Sequence, residues 1–209
     1  MKYIFVHGLG QNASSWNKTI AELNEEMDIR CPELSVMLEN EEVTYDNLYK
    51  AFSEYCNSLS EPINLCGLSL GAILALNYTI DNPAKVKSLI LIGGQYKMPK
   101  LILSFQNMVF KCLPNKLFVK MGLSKNQVIK LTKSMLDLDF STQIADVECP
   151  TMIICGEKDK ANKKAAQELA NAIPQAQLEI IQGAGHEVNT QAPMQLGHVI
   201  KRSESFCIL

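Results

Sequence analysis

Five short runs rich in apolar residues constrain this chain more than any other feature: 2–6 (KYIFV), 63–66 (INLC), 88–92 (SLILI), 151–155 (TMIIC) and 177–182 (QLEIIQ). A weaker sixth run lies at 27–31. Between them, apolar residues recur at helical spacing: Trp16, Ile20 and Leu23; Leu48, Phe52, Tyr55 and Leu59 behind a Thr44 cap; and Ala166, Leu169, Ala170 and Ile173 up to Pro174. A strand that is apolar throughout must be covered on both faces. The alternation therefore predicts an α/β protein, a three-layer α/β/α sandwich around a mostly parallel sheet of about six strands. Ligands of such sheets sit at the carboxyl ends of the strands.

Composition agrees with one compact domain spanning residues 1–209. Of the 209 residues, 47% are hydrophobic and 20% charged, which excludes a disordered or fibrous chain. A formal charge of −2 gives no reason to expect nucleic acid as a partner. The seven cysteines form no C-x-x-C pair, and Cys66 and Cys155 fall inside apolar runs, so buried free thiols and a reducing, cytoplasmic setting are expected. The apolar stretch at Tyr3–Val6 is too short for the core of a signal peptide. Residues 62–80 carry no charge, but Pro62, Asn64, Gly67, Ser69, Gly71, Asn77 and Thr79 interrupt them. They read as strand, turn and buried helix, and no transmembrane segment is expected.

Nearly sixty residues separate the runs at 88–92 and 151–155, far more than such a connection needs. Leu101, Phe105, Met108, Val109 and Cys112 share one helical face within them, and Val128, Leu131, Met135 and Leu138 share another. The segment at about 95–147 is read as a helical lid over the strand ends.

Chemistry-bearing residues cluster just after the strands. Gly67-Leu68-Ser69-Leu70-Gly71 follows one strand and opens a helix, the setting of a nucleophile elbow. His7-Gly8-Leu9-Gly10, Gly156-Glu157-Lys158-Asp159 and Gly183-Ala184-Gly185-His186 follow three others, so a parallel sheet would bring all four to one edge. With Trp16 behind the H-G-L-G loop and Asn82-Pro83-x-x-Val86 leading into SLILIGG, the sequence resembles the α/β-hydrolase superfamily over nearly its whole length.

The resemblance implies Ser69 as nucleophile, His186 as general base and then acid, and Asp159 as the carboxylate orienting His186. Backbone N–H groups of Leu9 and Leu70 would form the oxyanion hole. Glu157 competes with Asp159 for the acid role. His7 is expected to shape the oxyanion turn, and His198 to lie on the surface of a C-terminal helix. The histidines show no ligand spacing, so neither a metal nor another cofactor is expected. Serine at the elbow separates the chain from relatives that use aspartate there, and H-G-L-G departs from the H-G-G-G of many lipases. The family core has eight strands; the first run lies at the strand that carries the oxyanion loop, which leads to the expectation of a core lacking the first two.

These features imply a serine hydrolase cleaving a small or medium ester or thioester through an acyl-Ser69 intermediate. The alternatives are a lyase or C–C bond hydrolase using the same triad, and a weakly catalytic binding or signalling protein of the same fold. Residues 95–136 contain eight lysines and no other charged residue, whereas residues 22–61 hold 11 acidic residues against Arg30 and Lys50. That asymmetry is either a solvated lysine face, or a surface that recruits an anionic substrate or rests on an anionic membrane. An uncovered sheet edge also invites a second copy, as a homodimer.

Overall fold

The computed structural model describes residues 2–39, 41–119 and 122–204, with the side chains of residues 102, 105, 119 and 204 outside the description. Among the described residues six strands, β1 (Lys2–Val6), β2 (Asp28–Arg30), β3 (Ile63–Leu68), β4 (Val86–Ile92), β5 (Thr151–Gly156) and β6 (Ala176–Ile181), form one sheet in the order β2-β1-β3-β4-β5-β6. Every pairing in the sheet is parallel. All six strands therefore point their carboxyl ends at the same edge.

The apolar runs form strands because both faces of the sheet are buried. Ile4, Val6, Leu65, Leu89 and Leu91 pack into the core on one face, while Tyr3, Phe5, Cys66, Ile90 and Ile92 alternate into the core on the other. The helices are α1 (Asn17–Ile20), α2 (Leu34–Met37), α3 (Tyr45–Asn57), α4 (Leu70–Asp81), α5 (Lys100–Cys112), α6 (Lys116–Val119), α7 (Lys125–Ser134), α8 (Lys163–Ala172), α9 (Val188–Gln191) and α10 (Pro193–Glu204). Residues of α3, α4 and α8 fill the first core, and those of α1 and α10 the second. Thr44 caps α3, its side chain accepting from Asn47 N–H. Among the described residues no helix is long and apolar enough to cross a membrane. The uncharged stretch at 62–80 divides into β3, a turn at Ser69 and α4.

Three expectations need correction. The Trp16, Ile20, Leu23 repeat does not make a continuous helix: a 3₁₀ turn over Ala13–Trp16 runs into the single turn of α1. Trp16 and Leu23 are still buried, Trp16 edge-to-face against Phe5 at 5.1 Å, so burial at helical intervals survives without helical backbone between. The thiols of Cys31, Cys56, Cys66, Cys112 and Cys155 are free, but of these only Cys56, Cys66 and Cys155 are buried, and Cys112 is exposed. Burial pushes the Cys56 thiol up to about 12, which makes it inert as a nucleophile at neutral pH.

The third correction concerns the insertion. It is helical, and Val128, Leu131 and Met135 of the second face are buried as expected. On α5, however, Leu101, Met108, Val109 and Cys112 face outward, and the inward side is Leu103, Gln106, Asn107 and Phe110. Phe105, also assigned to the apolar face, lies outside the described side chains. Periodicity finds a helix's apolar arc but does not say which way the helix is turned when it packs on two sides.

Candidate active site

The turn between β3 and α4 is tightly constrained backbone. Ser69 has φ 55° and ψ −113°, and it is the one non-glycine residue with positive φ among those described. Holding an L-residue there costs on the order of 1–3 kcal/mol, and surrounding contacts must enforce it. Ser69 N–H donates to Ile92 C=O at 2.8 Å, tying the turn to the end of β4. The flanking glycines let backbone pass where no side chain fits. A Cβ on Gly67 would lie 2.2 Å from Gly71 C=O, and one on Gly71 would lie 2.2 Å from Val6 C=O. Because the atoms a Cβ on Gly71 would meet are main chain of Val6 and His7 at the end of β1, Gly71→Ala is expected to destabilise the fold by about 3 kcal/mol. Chemical denaturation of the purified variant measures this, and an unchanged midpoint would show that the close approach is not needed.

Asp159, three residues past β5, meets His186, on the loop after β6: His186 Nδ1 lies 2.7 Å from Asp159 Oδ2. The carboxylate is almost wholly buried and the imidazole partly open. Burial pushes the Asp159 carboxyl up, but hydrogen bonds from His186 and Asn162 and the charge of the imidazole outweigh it and hold the group below its ordinary value. The competing acid, Glu157, is exposed and accepts instead from Gly183 N–H at 2.8 Å.

The other two histidines are placed as expected. His7 is buried, accepts from Leu34 N–H at 3.2 Å through Nε2, and has Nδ1 2.9 Å from Gly8 C=O, fixing the turn that carries Leu9. His198 is exposed on α10. Among the described residues no cluster of His, Cys, Asp or Glu has the makings of a metal site.

Three residues beside the pair were not singled out from the sequence. Asn162 Nδ2 donates to both Asp159 oxygens, at 2.9 and 2.8 Å, and Gln95 Nε2 donates to Asn162 Oδ1 at 2.7 Å. Asn162 stands at the N-cap of α8 yet makes no side-chain cap bond, so it reads in sequence as an ordinary cap and in space as a clamp on the carboxylate. Gly93, φ 55°, follows β4, and a Cβ there would lie 3.0 Å from His186 Nδ1. The glycine keeps that side of the imidazole clear.

Ser69, Asp159, His186, Leu9 and Leu70 all line one cavity of about 400 Å³. Among the described residues no hydrogen bond joins Ser69 Oγ to His186; the two share the cavity wall. Phe110 of α5 and Met135 just past α7, with Leu103, Met98 and Ile73, make the cavity largely apolar, and Gln95, Gln106, Thr132 and Asn162 supply neutral polar groups. Among the described residues its titratable lining side chains are Asp159 and His186, and none of the described lysines of the insertion lines it.

Comparison with known proteins follows the same lines. An 88-residue stretch is 26% identical to a Bacillus subtilis protein named as a 2-succinyl-6-hydroxy-2,4-cyclohexadiene-1-carboxylate synthase, covering 39% of this chain and 32% of that protein. Thus the match spans about a third of the relative's length. The fold is similar to that of S. aureus MenH, with a TM-score of 0.83 at 16% identity, over 100% of this chain and 95% of that one. It is equally similar to a carboxylesterase structure from the Thaumarchaeon Nitrososphaera gargenis, with a TM-score of 0.83 at 17% identity, covering 99% and 90% of the two chains. The model of the alpha/beta hydrolase family matches residues 3–196, from the first strand to the last helix, and the chain belongs to that family.

Proposed function

We propose that this protein is a serine hydrolase that cleaves a small or medium uncharged carboxylic ester or thioester through an acyl-Ser69 intermediate. The observation that carries the reading is the strained serine facing an apolar cavity that it shares with a hydrogen-bonded Asp159–His186 pair. In this reading Ser69 Oγ attacks the carbonyl carbon as His186 Nε2 takes its proton. Asp159 holds Nδ1–H and with it the tautomer that leaves Nε2 free to accept. The resulting oxyanion is met by the N–H groups of Leu9 and of Leu70, the first residue of α4, where helix N–H groups lack internal partners. Collapse expels the alcohol or thiol, which takes the proton from His186. Water then repeats the sequence in reverse on the acyl-serine.

The cavity favours an uncharged substrate because no lysine or arginine among the described residues lines it to repay desolvation of a substrate carboxylate. The same observation weighs against the second reading, lyase or C–C bond cleavage, on a substrate like the carboxylate for which the Bacillus subtilis relative is named. Labelling with a fluorophosphonate, followed by a panel of neutral and carboxylate-bearing esters and thioesters, tests the proposal. Labelling of the wild type, no labelling of Ser69→Ala, and preference for neutral esters are expected. Absence of labelling in the folded wild type overturns the acyl-serine reading.

Asn162 gives a finer test. Asn162→Ala removes two hydrogen bonds from Asp159, so the carboxyl moves up toward its ordinary value and the imidazole loses part of its anchor. The expected result is a fall of about tenfold in kcat with little change in KM, about the worth of one charged hydrogen bond. Equal kcat for variant and wild type would assign Asn162 to the helix terminus alone.

A further inference from the structure

The outward side of α5 is an apolar stripe with no partner among the described residues. Leu101 is 87% exposed, Met108 55% and Val109 38%, and beyond the helix Leu117 is 48% exposed. Side chains at positions 101, 108, 109 and 112 fall within about a third of a turn of one another, so they form a band along one edge rather than scattered contacts. The polar residues Gln106 and Asn107 point the other way, toward the cavity and α7.

Charge around this band is uneven along its length. At the amino end, Lys97 and Lys100 pair with Asp139 and Asp137. At the carboxyl end, Lys111 and Lys116 are exposed with no ion pair among the described residues, and Lys125 Nζ donates to the carbonyls of Lys111 and Leu113. That end therefore presents three cations beside Met108, Val109 and Leu117. Lys120 belongs to the same run but lies outside the described residues.

We propose that this face docks on an anionic phospholipid surface, with the α5 band entering the headgroup boundary, Lys111 and Lys116 meeting the lipid phosphates, and Lys125 adding its charge from the carboxyl end of α5. Exposed apolar side chains on a helix flanked by unpaired lysines are the recognition chemistry of such a surface. A second copy of the chain fits less well. A two-fold contact with the bands parallel would bring the same three lysines face to face, and an antiparallel one would set them against Lys97–Asp139 and Lys100–Asp137, whose charges already balance. The remainder of the molecule carries the excess of acid, much of it in residues 22–61, so the charge distribution also orients this face toward a negative surface and the rest away from it.

The proposal does not rest on the hydrolase reading, and its test needs no turnover. Flotation of the full chain with vesicles of phosphatidylcholine alone, and of phosphatidylcholine mixed with phosphatidylglycerol, reads partition directly. Binding to the mixed vesicles, weakening as salt rises, is expected for wild type and for Ser69→Ala alike. Lys111→Gln with Lys116→Gln should weaken it roughly 25-fold, about fivefold for each charge lost. Met108→Ser with Val109→Ser should weaken it roughly tenfold while leaving the circular dichroism spectrum unchanged, since both side chains are solvent-facing. Equal partition onto phosphatidylcholine alone, no partition at all, or binding indifferent to both double variants would overturn the proposal. Self-association that Met108→Ser with Val109→Ser abolishes, without vesicle binding, would overturn it in favour of a second copy.

Discussion

Ser69→Ala is expected to lower kcat on the ester that the wild type cleaves best by about 10⁶-fold while leaving the fold intact. The magnitude is that of a nucleophile whose loss removes the covalent path altogether, so that only cavity binding and the oxyanion donors still act. The fold survives because the substitution deletes one oxygen from a side chain that makes no hydrogen bond among the described residues and leaves Ser69 N–H on Ile92 C=O. Alanine also keeps the positive φ and its strain. Ser69→Gly is then the informative companion: it should be equally inactive but more stable than Ser69→Ala, by up to about 1 kcal/mol, because glycine occupies that backbone region without penalty. Steady-state kinetics beside thermal melts of the three proteins give both quantities. A kcat within tenfold of wild type would remove Ser69 from the mechanism. A glycine variant no more stable than the alanine one would mean that the turn is not strained enough to matter.

The pairing of strain with a cavity explains why so much of the candidate site was legible before any coordinates. A serine between two glycines, after an apolar run and before a helix, specifies a turn in which β3, α4 and β1 approach at main-chain distance, and sequence records each of those demands as a residue type. The all-parallel sheet does the rest. Once 2–6, 63–66, 151–155 and 177–182 are strands of one sheet, the segments after them must share an edge, and His7, Ser69, Asp159 and His186 come together by topology alone. Asn162 and Gly93 were not legible for the opposite reason. An asparagine ahead of a helix and a glycine after a strand have common local explanations, and only distance to Asp159 and His186 separates those from a role in the site.

The insertion shows a different limit. Its helices could be anticipated, and α7 packs with the expected face inward, because Val128, Leu131 and Met135 have the core behind them. For α5 the apolar arc and the buried arc are different sets of residues. A helix lying across a cavity mouth has an inner side facing substrate space and an outer side facing whatever covers the protein, and either can be apolar. Hydrophobic periodicity carries no sign that distinguishes them, so the pocket wall of Leu103, Gln106 and Phe110 emerges only from three-dimensional packing. With the described lysines of this segment outside the cavity wall, their charge belongs to the outer side.

Asp159→Asn is expected to lower kcat about 10⁴-fold, with the protein still folded. An asparagine at this position would present either an amide NH₂ or a carbonyl to His186 Nδ1, but it already faces Asn162 Nδ2, which demands an acceptor. Turning its single oxygen to Asn162 leaves its NH₂ toward His186, which forces Nδ1 to accept and puts the ring proton on Nε2, where it blocks transfer from Ser69. Turning the oxygen to His186 leaves two NH₂ groups opposed at buried positions. Either arrangement loses something, and the first is inactive as a base. Stability should follow pH with a definite sign. The folded carboxyl is held below its ordinary value, so the wild type gains stability from it above the unfolded value of about 3.9, and loses that gain as pH falls through the lower folded value. The stability gap between wild type and Asp159→Asn should therefore be widest at neutral pH and narrow as the solution is acidified below the ordinary carboxylate range. Urea melts of both proteins from neutral to acid pH measure it. A gap that widens on acidification would show that burial outweighs the His186 and Asn162 hydrogen bonds, and that Asp159 is held neutral rather than charged.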